Sequence, residues 1–255
     1  MKNAVLVVSV GTTKIEAIEN TSKRLLYRIE KAYPNAKCYL AFSNERILNK
    51  MKQKQPDTFL GLEEALEKIL ADGAESLLVQ PTYLLNGLEN DGMLQILESY
   101  RSKFSFLKIG KPLLSSKEDY SRALAAICKN ANFLEGEALV LVGHGSALSD
   151  NTYQNLEYTA YVQGQRNVFV GTICDEKSQR MTLRKLKAAG FERVCLMPLL
   201  FVVAHHGIKD IFAETDSWNS VLKEEGYIVT AKIAGLGEMD EILDLFIEHL
   251  NAAER

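Results

Sequence analysis

The sequence has few cysteines and no CxxC pair that would indicate a zinc or redox site. Its four cysteines, Cys38, Cys128, Cys174 and Cys195, are scattered along the chain. Three of them lie in apolar strand or helix patterns, so we expect buried free thiols rather than disulfides or a metal cluster. Free thiols are typical of a reducing compartment, which favours a cytoplasmic location.

Long apolar runs and a strong charge of one sign are also missing. No run approaches the roughly 18 to 20 apolar residues that span a bilayer, and residues 4–10 lack the cleavage pattern of a signal peptide. The formal net charge of −3 gives no reason to expect nucleic acid or an anionic membrane as a partner. We therefore predict a cytoplasmic protein with neither partner, in which local donors would hold any anionic substrate.

Two phosphate-binding motifs are missing as well. The sequence contains no GxxxxGK[ST], and no GxGxxG follows either residues 4–9 or residues 138–142, the predicted first strands of the two halves. A nucleotide- or phosphate-handling α/β enzyme is therefore disfavoured.

Apolar runs and helical stripes alternate regularly along the chain. Strands are predicted at residues 4–9, 38–42, 77–80, 107–110, 138–142, 168–173, 194–197 and 228–233. This order predicts an α/β protein with two similar lobes, each a parallel sheet flanked by helices. The lobes are predicted to span residues 1–131 and 132–255, and packing of the C-terminal helix against the first lobe stays open.

The two lobes are predicted to be copies related by an internal pseudo-twofold repeat. Matching residues recur 117 positions apart: Gly73 with Gly190, Glu75 with Glu192, Pro81 with Pro198, and Glu89 with His206. The first strands match 134 positions apart: Ala4 with Ala138, Gly11 with Gly145, and Thr12 with Ser146. Loops tolerate the length difference that this change of offset requires. Because an internal repeat normally sets the architecture, we give it most weight.

Three ligand-type side chains stand where the two copies differ. Glu89 occupies the position of His206, and Val10 occupies that of His144. Taken singly, a histidine after a strand is more often structural, and a glutamate in a polar turn such as residues 86–92 is more often solvated. The repeat makes a metal-binding role more favourable for the three residues together. If the two lobes face a common cleft, Glu89, His144 and His206 would meet at strand carboxyl ends. Such a set, with open positions, suits cobalt, nickel, iron or zinc.

Other conspicuous residues are assigned structural roles. His205 precedes His206 in a segment predicted to be extended, where neighbouring side chains point to opposite sides, so we expect only His206 to reach the metal. Trp218 and Phe212 are predicted to lie on one apolar helical stripe and to be core residues. His249 is predicted to be a surface residue of the terminal helix.

Small residues and hydroxyls follow the first strand of each half: Ser9, Gly11, Thr12 and Thr13, and then Gly145 and Ser146. Free N–H groups at a helix start bind carboxylate or phosphate groups. Thr12 or Thr13 is expected to be the N-cap of the first helix. We predict that these residues bind an anionic substrate held between the lobes.

Six segments, in chain order, resemble the anaerobic cobalt chelatase family of cobalamin biosynthesis (CbiK type, class II chelatases): residues 5–12, 112–116, 142–146, 197–199 with His206, 216–218 and 235–238. The resemblance implies a bilobal α/β fold that binds sirohydrochlorin, an anionic tetrapyrrole, between its lobes. It also implies insertion of cobalt(II) without ATP, so that the divalent metal is a substrate and no tightly bound cofactor is expected. The family's metal-binding His, Glu and His fall on His144, Glu89 and His206.

The resemblance also suggests roles for these residues. We expect His144 to take up a pyrrole proton, because imidazole titrates near neutral pH. Glu89 is a second candidate base, and Glu89 and His206 would hold the cation. The sequence departs from the family at Cys174, where a glutamate is frequent, and at His205, where relatives can carry aspartate.

Several alternatives stay open at this point. A chelatase of the same fold could insert ferrous iron or nickel, and a non-catalytic protein could bind the tetrapyrrole or the metal. The oligomeric state, a homo-oligomer included, is not indicated by the sequence.

Overall fold

The computed structural model describes residues 2–56, 58–145 and 151–254, apart from the side chains of His205 and His206. The chain divides into two compact units. Unit 1 comprises Met1–Ser115 and Asp240–Arg255, and unit 2 comprises Ser116–Met239. The C-terminal helix therefore groups with unit 1, and this division lies one helix before the sequence-based boundary at residues 131 and 132.

The strands and helices alternate in both units. Unit 1 contains β1 (Asn3–Ser9), α1 (Ile15–Ile18), α2 (Arg24–Ala32), β2 (Ala36–Phe42), α3 (Glu45–Lys54), β3 (Leu60–Gly61), α4 (Leu62–Ala71), β4 (Ser76–Pro81), α5 (Leu88–Tyr100) and β5 (Phe106–Ile109). Unit 2 contains α6 (Lys117–Ala131), β6 (Glu137–Gly143), α7 (Thr152–Val162), β7 (Val168–Thr172), α8 (Glu176–Ala189), β8 (Arg193–Pro198), α9 (His205–Phe212), α10 (Trp218–Glu224) and β9 (Ile228–Ala231). The last helix, α11 (Asp240–Glu254), returns to unit 1. Within the described ranges, no helix is both long enough and apolar enough to cross a membrane.

Strand β1 is at the centre of the unit 1 sheet, whose order is β3-β2-β1-β4-β5 with every pair parallel. Residues 4–8 of β1 are all apolar and at most 2% exposed, as expected for a strand covered on both faces. Ala4, Leu6 and Val8 share a core cluster with residues of α4 and α5. Helix α2 packs against β2, and α11 packs against β4 and β5.

Strand β6 has the corresponding place in unit 2, where the order β7-β6-β8-β9 is again fully parallel. Its alternate residues pack against α8, α9 and α10 in one cluster with Trp218, which is 2% exposed. The predictions of a parallel α/β fold in both halves and of a core role for Trp218 are therefore confirmed.

The repeat is also present in the hydrogen bonds at the carboxyl edges of the two sheets. The first equivalent pair is Ser43 N–H to the Ser9 carbonyl in unit 1 and Ile173 N–H to the Gly143 carbonyl in unit 2, both at 2.9 Å. The second pair is Thr82 N–H to the Val8 carbonyl at 2.9 Å in unit 1 and Leu199 N–H to the Val142 carbonyl at 2.8 Å in unit 2. Order β2-β1-β4-β5 thus corresponds to β7-β6-β8-β9, and the short β3 is an addition to unit 1.

The sequence-based elements are wrong at helix α3 and at the helix predicted through Phe212 and Trp218. Helix α3 was not predicted, although Asn44 caps it by accepting a hydrogen bond from Ile47 N–H at 3.0 Å. The single helix predicted through Phe212 and Trp218 is two helices, α9 and α10. Asp216 has a left-handed φ of 51°, and Ser217 caps α10 by accepting from Ser220 N–H at 3.1 Å. This reversal and cap start a new helix.

Candidate functional site

His144 follows β6 directly, at the carboxyl edge of the unit 2 sheet. Its side chain is exposed, while Gly143 and Gly145 on either side are buried. The His144 carbonyl accepts a hydrogen bond from Cys174 N–H at 3.0 Å, which ties this turn to the segment after β7. An exposed imidazole therefore stands on a fixed backbone where parallel sheets carry their ligand sites.

The two ring nitrogens of His144 have different surroundings. Nδ1 lies 2.9 Å from the carbonyl oxygen of Gly145. A carbonyl oxygen only accepts hydrogen bonds, so this contact selects the tautomer in which Nδ1 carries the proton. Nε2 then presents a lone pair, as in histidine metal ligands whose other nitrogen donates to a backbone carbonyl. This geometry favours Nε2 as a metal ligand or proton acceptor.

The glycines around His144 allow two side chains to approach the turn. A Cβ atom on Gly143 would lie 2.2 Å from Cε1 of Tyr153, and one on Gly145 would lie 2.7 Å from Cβ of Thr172. Gly145 also has a left-handed φ of 78°, and its N–H donates to the Tyr153 hydroxyl at 3.2 Å. Packing by Tyr153 and Thr172 thus requires glycine at both positions.

Cys174 is a neighbour of His144 that the sequence identified only as a departure from the family. Its Sγ lies 3.5 Å from Nδ1 of His144, and its side chain is exposed. Partial burial raises the pKa of the thiol, and the negative charge of Asp210 raises it further. The contact depends on the pairing of β6 with β7, in which Gly143 lies opposite Thr172. Spacing along the chain therefore gave no signal for it.

We expect iodoacetamide to modify Cys174 before the other cysteines. Cys38 and Cys128 are half-buried and Cys195 is buried, and burial raises the pKa of both Cys38 and Cys128 to about 11. Because the Cys174 pKa is also raised, its modification should be slow at neutral pH and accelerate above the usual thiol pKa of about 8.5. Peptide mapping by mass spectrometry over a pH series measures this order. Modification of Cys195 before Cys174 would contradict the burial of Cys195. The variant Cys174→Ser should lack the peptide that is modified first in the wild type.

Glu89 is the second residue of α5, which begins immediately after Gly87. The prediction that residues 86–92 form a polar turn is therefore wrong, because Asp91 N–H already donates to the Gly87 carbonyl at 2.9 Å. The Glu89 side chain is exposed, and its place in the first turn stabilises a negative charge through the helix dipole. Glu89 thus presents a carboxylate at the carboxyl edge of the unit 1 sheet.

Tyr83 lies near Glu89 and was not identified from the sequence. Its side chain is 5% exposed. Burial raises the pKa of the Tyr83 phenol to about 12, with a further contribution from the charge of Glu89. The phenol therefore stays protonated at neutral pH.

His205 and His206 are the first two residues of α9, whose N-cap is Ala204. The expectation of an extended segment is therefore wrong for their backbone. His206 is the second residue of its helix, as Glu89 is of α5, so the two positions paired by the repeat are structurally equivalent. The side chains of both histidines lie outside the description. Because β6 pairs in parallel with β8, His144 and the start of α9 follow the same edge of the unit 2 sheet.

The predicted anion-binding residues of unit 1 are partly engaged within the fold. Ser9 and Thr12 are each 1% exposed. The Ser9 hydroxyl accepts from the Ser22 hydroxyl at 3.0 Å, and the Thr12 hydroxyl accepts from Lys14 N–H at 3.2 Å. Lys14, not Thr12 or Thr13, is the N-cap of α1. Gly11 is buried, Thr13 is half-buried, and Ser146 lies outside the described residues. Substrate binding by this group stays a prediction.

A cavity of about 660 Å³ lies at the other edge of the unit 1 sheet. Its lining includes Asn3, Ala36, Ser76 and Phe106, at the amino ends of the strands. The candidate ligands follow carboxyl ends, so this cavity is not part of the candidate site. Among the side chains that are described, no three His, Cys, Asp or Glu residues are grouped to hold a metal ion. The meeting of Glu89 with the two histidines therefore stays a prediction.

Comparison with known proteins gives full-length matches. A family model described as cobalt chelatase (CbiK) matches residues 3–255. The sirohydrochlorin cobaltochelatase of Salmonella typhimurium is 29% identical over 259 residues, which cover 99% of this chain and 97% of the relative. The sirohydrochlorin cobaltochelatase CbiKC of Nitratidesulfovibrio vulgaris is 26% identical over 261 residues, covering 99% and 90%.

Solved structures show a likeness in fold. SirB from Bacillus subtilis, solved with Fe3+, has a TM-score of 0.69 at 16% identity, and the match covers 99% of this chain and 96% of SirB. At this level of identity the likeness concerns the fold alone.

Proposed function

Because the chain belongs to the cobalt chelatase (CbiK) family, we propose that it inserts cobalt(II) into sirohydrochlorin, without ATP, in anaerobic cobalamin biosynthesis. The main observation in favour is the family match over residues 3–255. The exposed imidazole of His144, with Nδ1 held by the Gly145 carbonyl, is suited to this chemistry. Two relatives of similar length are sirohydrochlorin cobaltochelatases.

In this proposal His144 is the proton acceptor. One Co2+ enters the macrocycle and two pyrrole N–H protons leave, so charge is conserved. Nε2 of His144 takes up the first proton, since histidine is the side chain most often used as a general base. Exchange with solvent then returns His144 to its neutral form for the second proton. Glu89 is the alternative acceptor.

Glu89, His206 and His144 hold the cation as it approaches the ring. Nε2 of His144 has a single lone pair, so it releases the cation to a ring nitrogen before it takes up a proton. Two imidazoles and one carboxylate leave coordination positions open, so water ligands can be exchanged one by one for ring nitrogens. The carboxylates of sirohydrochlorin bind the N–H groups around Ser9, Gly11, Thr12, Thr13, Gly145 and Ser146. The four free cysteines support a cytoplasmic location for this reaction.

Absorbance spectroscopy of sirohydrochlorin with cobalt(II), with and without protein, tests the activity. We expect a catalytic amount of protein to convert many equivalents of sirohydrochlorin without ATP. Parallel reactions with ferrous iron and nickel(II) compare the metals. A spectral change that stops at one equivalent would instead indicate a carrier, and a rate equal to the protein-free rate would contradict the proposal.

A further inference from the structure

The segment that leads from β8 into α9, residues 199–204, is held by backbone hydrogen bonds on two sides. On one side, Leu199 N–H donates to the Val142 carbonyl of β6 at 2.8 Å. On the other side, two bonds come from the turn after β9: Leu236 N–H to the Leu200 carbonyl at 2.8 Å and Gly237 N–H to the Phe201 carbonyl at 2.9 Å. We call residues 235–238, which form this turn, the brace.

The main chain of the brace packs directly against the main chain of Phe201 and Val202. A Cβ atom on Gly235 would lie 2.6 Å from the Phe201 carbonyl oxygen and 3.3 Å from Cα of Val202. These are main-chain atoms, so no side-chain rotation could relieve the overlap. Gly235 N–H donates to Oε1 of Glu238 at 2.7 Å, which closes the turn on itself. Glycine at position 235 and an acceptor at position 238 thus hold the brace against residues 200–202.

Unit 1 repeats this arrangement ahead of its own candidate ligand. Leu113 N–H donates to the Tyr83 carbonyl at 2.9 Å, and Leu114 N–H donates to the Leu84 carbonyl at 2.8 Å. Tyr83 and Leu84 precede Leu200 and Phe201 by the same 117 positions that separate Glu89 from His206. The two braced segments are therefore equivalent, and each leads into the helix whose second residue is a candidate ligand.

The two ligand-bearing helices do not fix their own starting points. The N-caps of α5 and α9 are Gly87 and Ala204, and neither makes a side-chain capping hydrogen bond. A helix without a side-chain cap leaves its first N–H groups without that restraint. The position of the first turn therefore depends on the preceding segment, which is the part that the turn after β9 holds.

We propose that Gly235 and Glu238 are positioning residues for metal binding by His206. By holding residues 199–204, the brace sets where α9 begins and so where its second side chain presents a nitrogen to the cobalt ion. This inference rests on the proposed function, because the metal is the cobalt substrate of the chelatase.

Cobalt(II) binding to the full-length protein tests this role through its dissociation constant and ligand-field absorption. Gly235→Ala should weaken binding about 10-fold to 100-fold, the usual cost of losing the support of a metal ligand, and should change the absorption bands. Glu238→Ala should change the dissociation constant and the absorption bands in the same direction as Gly235→Ala, but by a smaller amount. This second variant can still be measured if Gly235→Ala fails to fold. Glu238→Gln, which keeps an oxygen acceptor, should recover part of that loss. Hydrogen exchange of amides 199–208 should rise in Gly235→Ala and Glu238→Ala.

Two further variants separate the possible outcomes. Leu186→Ala removes a buried side chain of the unit 2 core and controls for lost stability; an equal loss of cobalt affinity in this variant would overturn the positioning role. His206→Ala should lose affinity at least as strongly as Gly235→Ala. If His206→Ala loses affinity while Gly235→Ala and Glu238→Ala do not, the brace proposal fails and the chelatase stands. If His206→Ala binds as the wild type does, the ligand assignment fails and the brace proposal fails with it.

Discussion

Replacing His144 by alanine is expected to lower the rate of cobalt insertion about 1,000-fold, within the range of about 10² to 10⁴ found for general acid and base groups. The substitution removes the nitrogen that we assign to proton uptake and metal approach. It leaves the backbone hydrogen bond between Cys174 N–H and the carbonyl of residue 144 in place. Sirohydrochlorin binding should therefore change little. Steady-state absorbance kinetics measure the first effect, and titration without metal measures the second.

His249→Gln is the matched control for this substitution. His249 lies in α11 of unit 1, and its Nδ1 is 3.1 Å from the Lys111 carbonyl, where a glutamine amide could also donate. We expect this variant to turn over at the wild-type rate. Unchanged turnover in His144→Ala would refute the assignment of His144.

Replacing Gly143 by alanine should destabilise unit 2 and also stop insertion. The new Cβ would lie 2.2 Å from Cε1 of Tyr153, whose side chain is 9% exposed and so has little room to move. Overpacking of this kind costs about 3 kcal/mol, which corresponds to a fall in Tm of about 6 to 12 °C for a chain of this size. Displacing Tyr153 also removes its hydrogen bond with Gly145 N–H, and the turn that carries His144 shifts. Calorimetry measures the fall in Tm, and the insertion assay measures the loss of cobalt insertion.

Gly92→Ala is the control for an alanine added to a glycine. Gly92 lies within α5, and apart from its chain neighbours and the backbone of its own helix no atom of the described residues lies within 4 Å of a Cβ built there. Alanine should therefore stabilise this helix by about 0.5 to 1 kcal/mol. Tyr153→Phe removes only the hydroxyl and should cost about 1 kcal/mol. Equal Tm values for Gly143→Ala and Gly92→Ala would contradict the described packing at β6.

The central strands were predictable because their chemistry is simple. Residues 4–8 and 138–142 are unbroken apolar runs, and strands buried on both faces of a parallel sheet have this pattern. The repeat then predicted that the two lobes have similar parallel sheets, without any knowledge of contacts. Helix α3 was missed although Asn44 and the apolar residues after it were present. The break between α9 and α10 was missed because a non-glycine residue, Asp216, adopts the left-handed conformation there.

The surroundings of the candidate site were harder to predict than its candidate ligands. The repeat identified Glu89 and His206 as a pair, and their equal places in α5 and α9 agree with it. Cys174 reaches His144 through the pairing of β6 with β7, and Tyr83 is buried where the charge of Glu89 acts on it. Sequence spacing encodes neither relation. The Thr12 hydroxyl accepts from Lys14 N–H instead of capping the helix as expected, because α1 begins one or two residues later than predicted.

Anomalous diffraction at the cobalt edge, from crystals loaded with cobalt(II), tests whether the three candidate ligands bind one metal ion. We expect one cobalt ion within bonding distance of Nε2 of His144, a carboxylate oxygen of Glu89 and a ring nitrogen of His206. Cobalt bound elsewhere, or at only one of these side chains with the other two on separate surfaces, would contradict it.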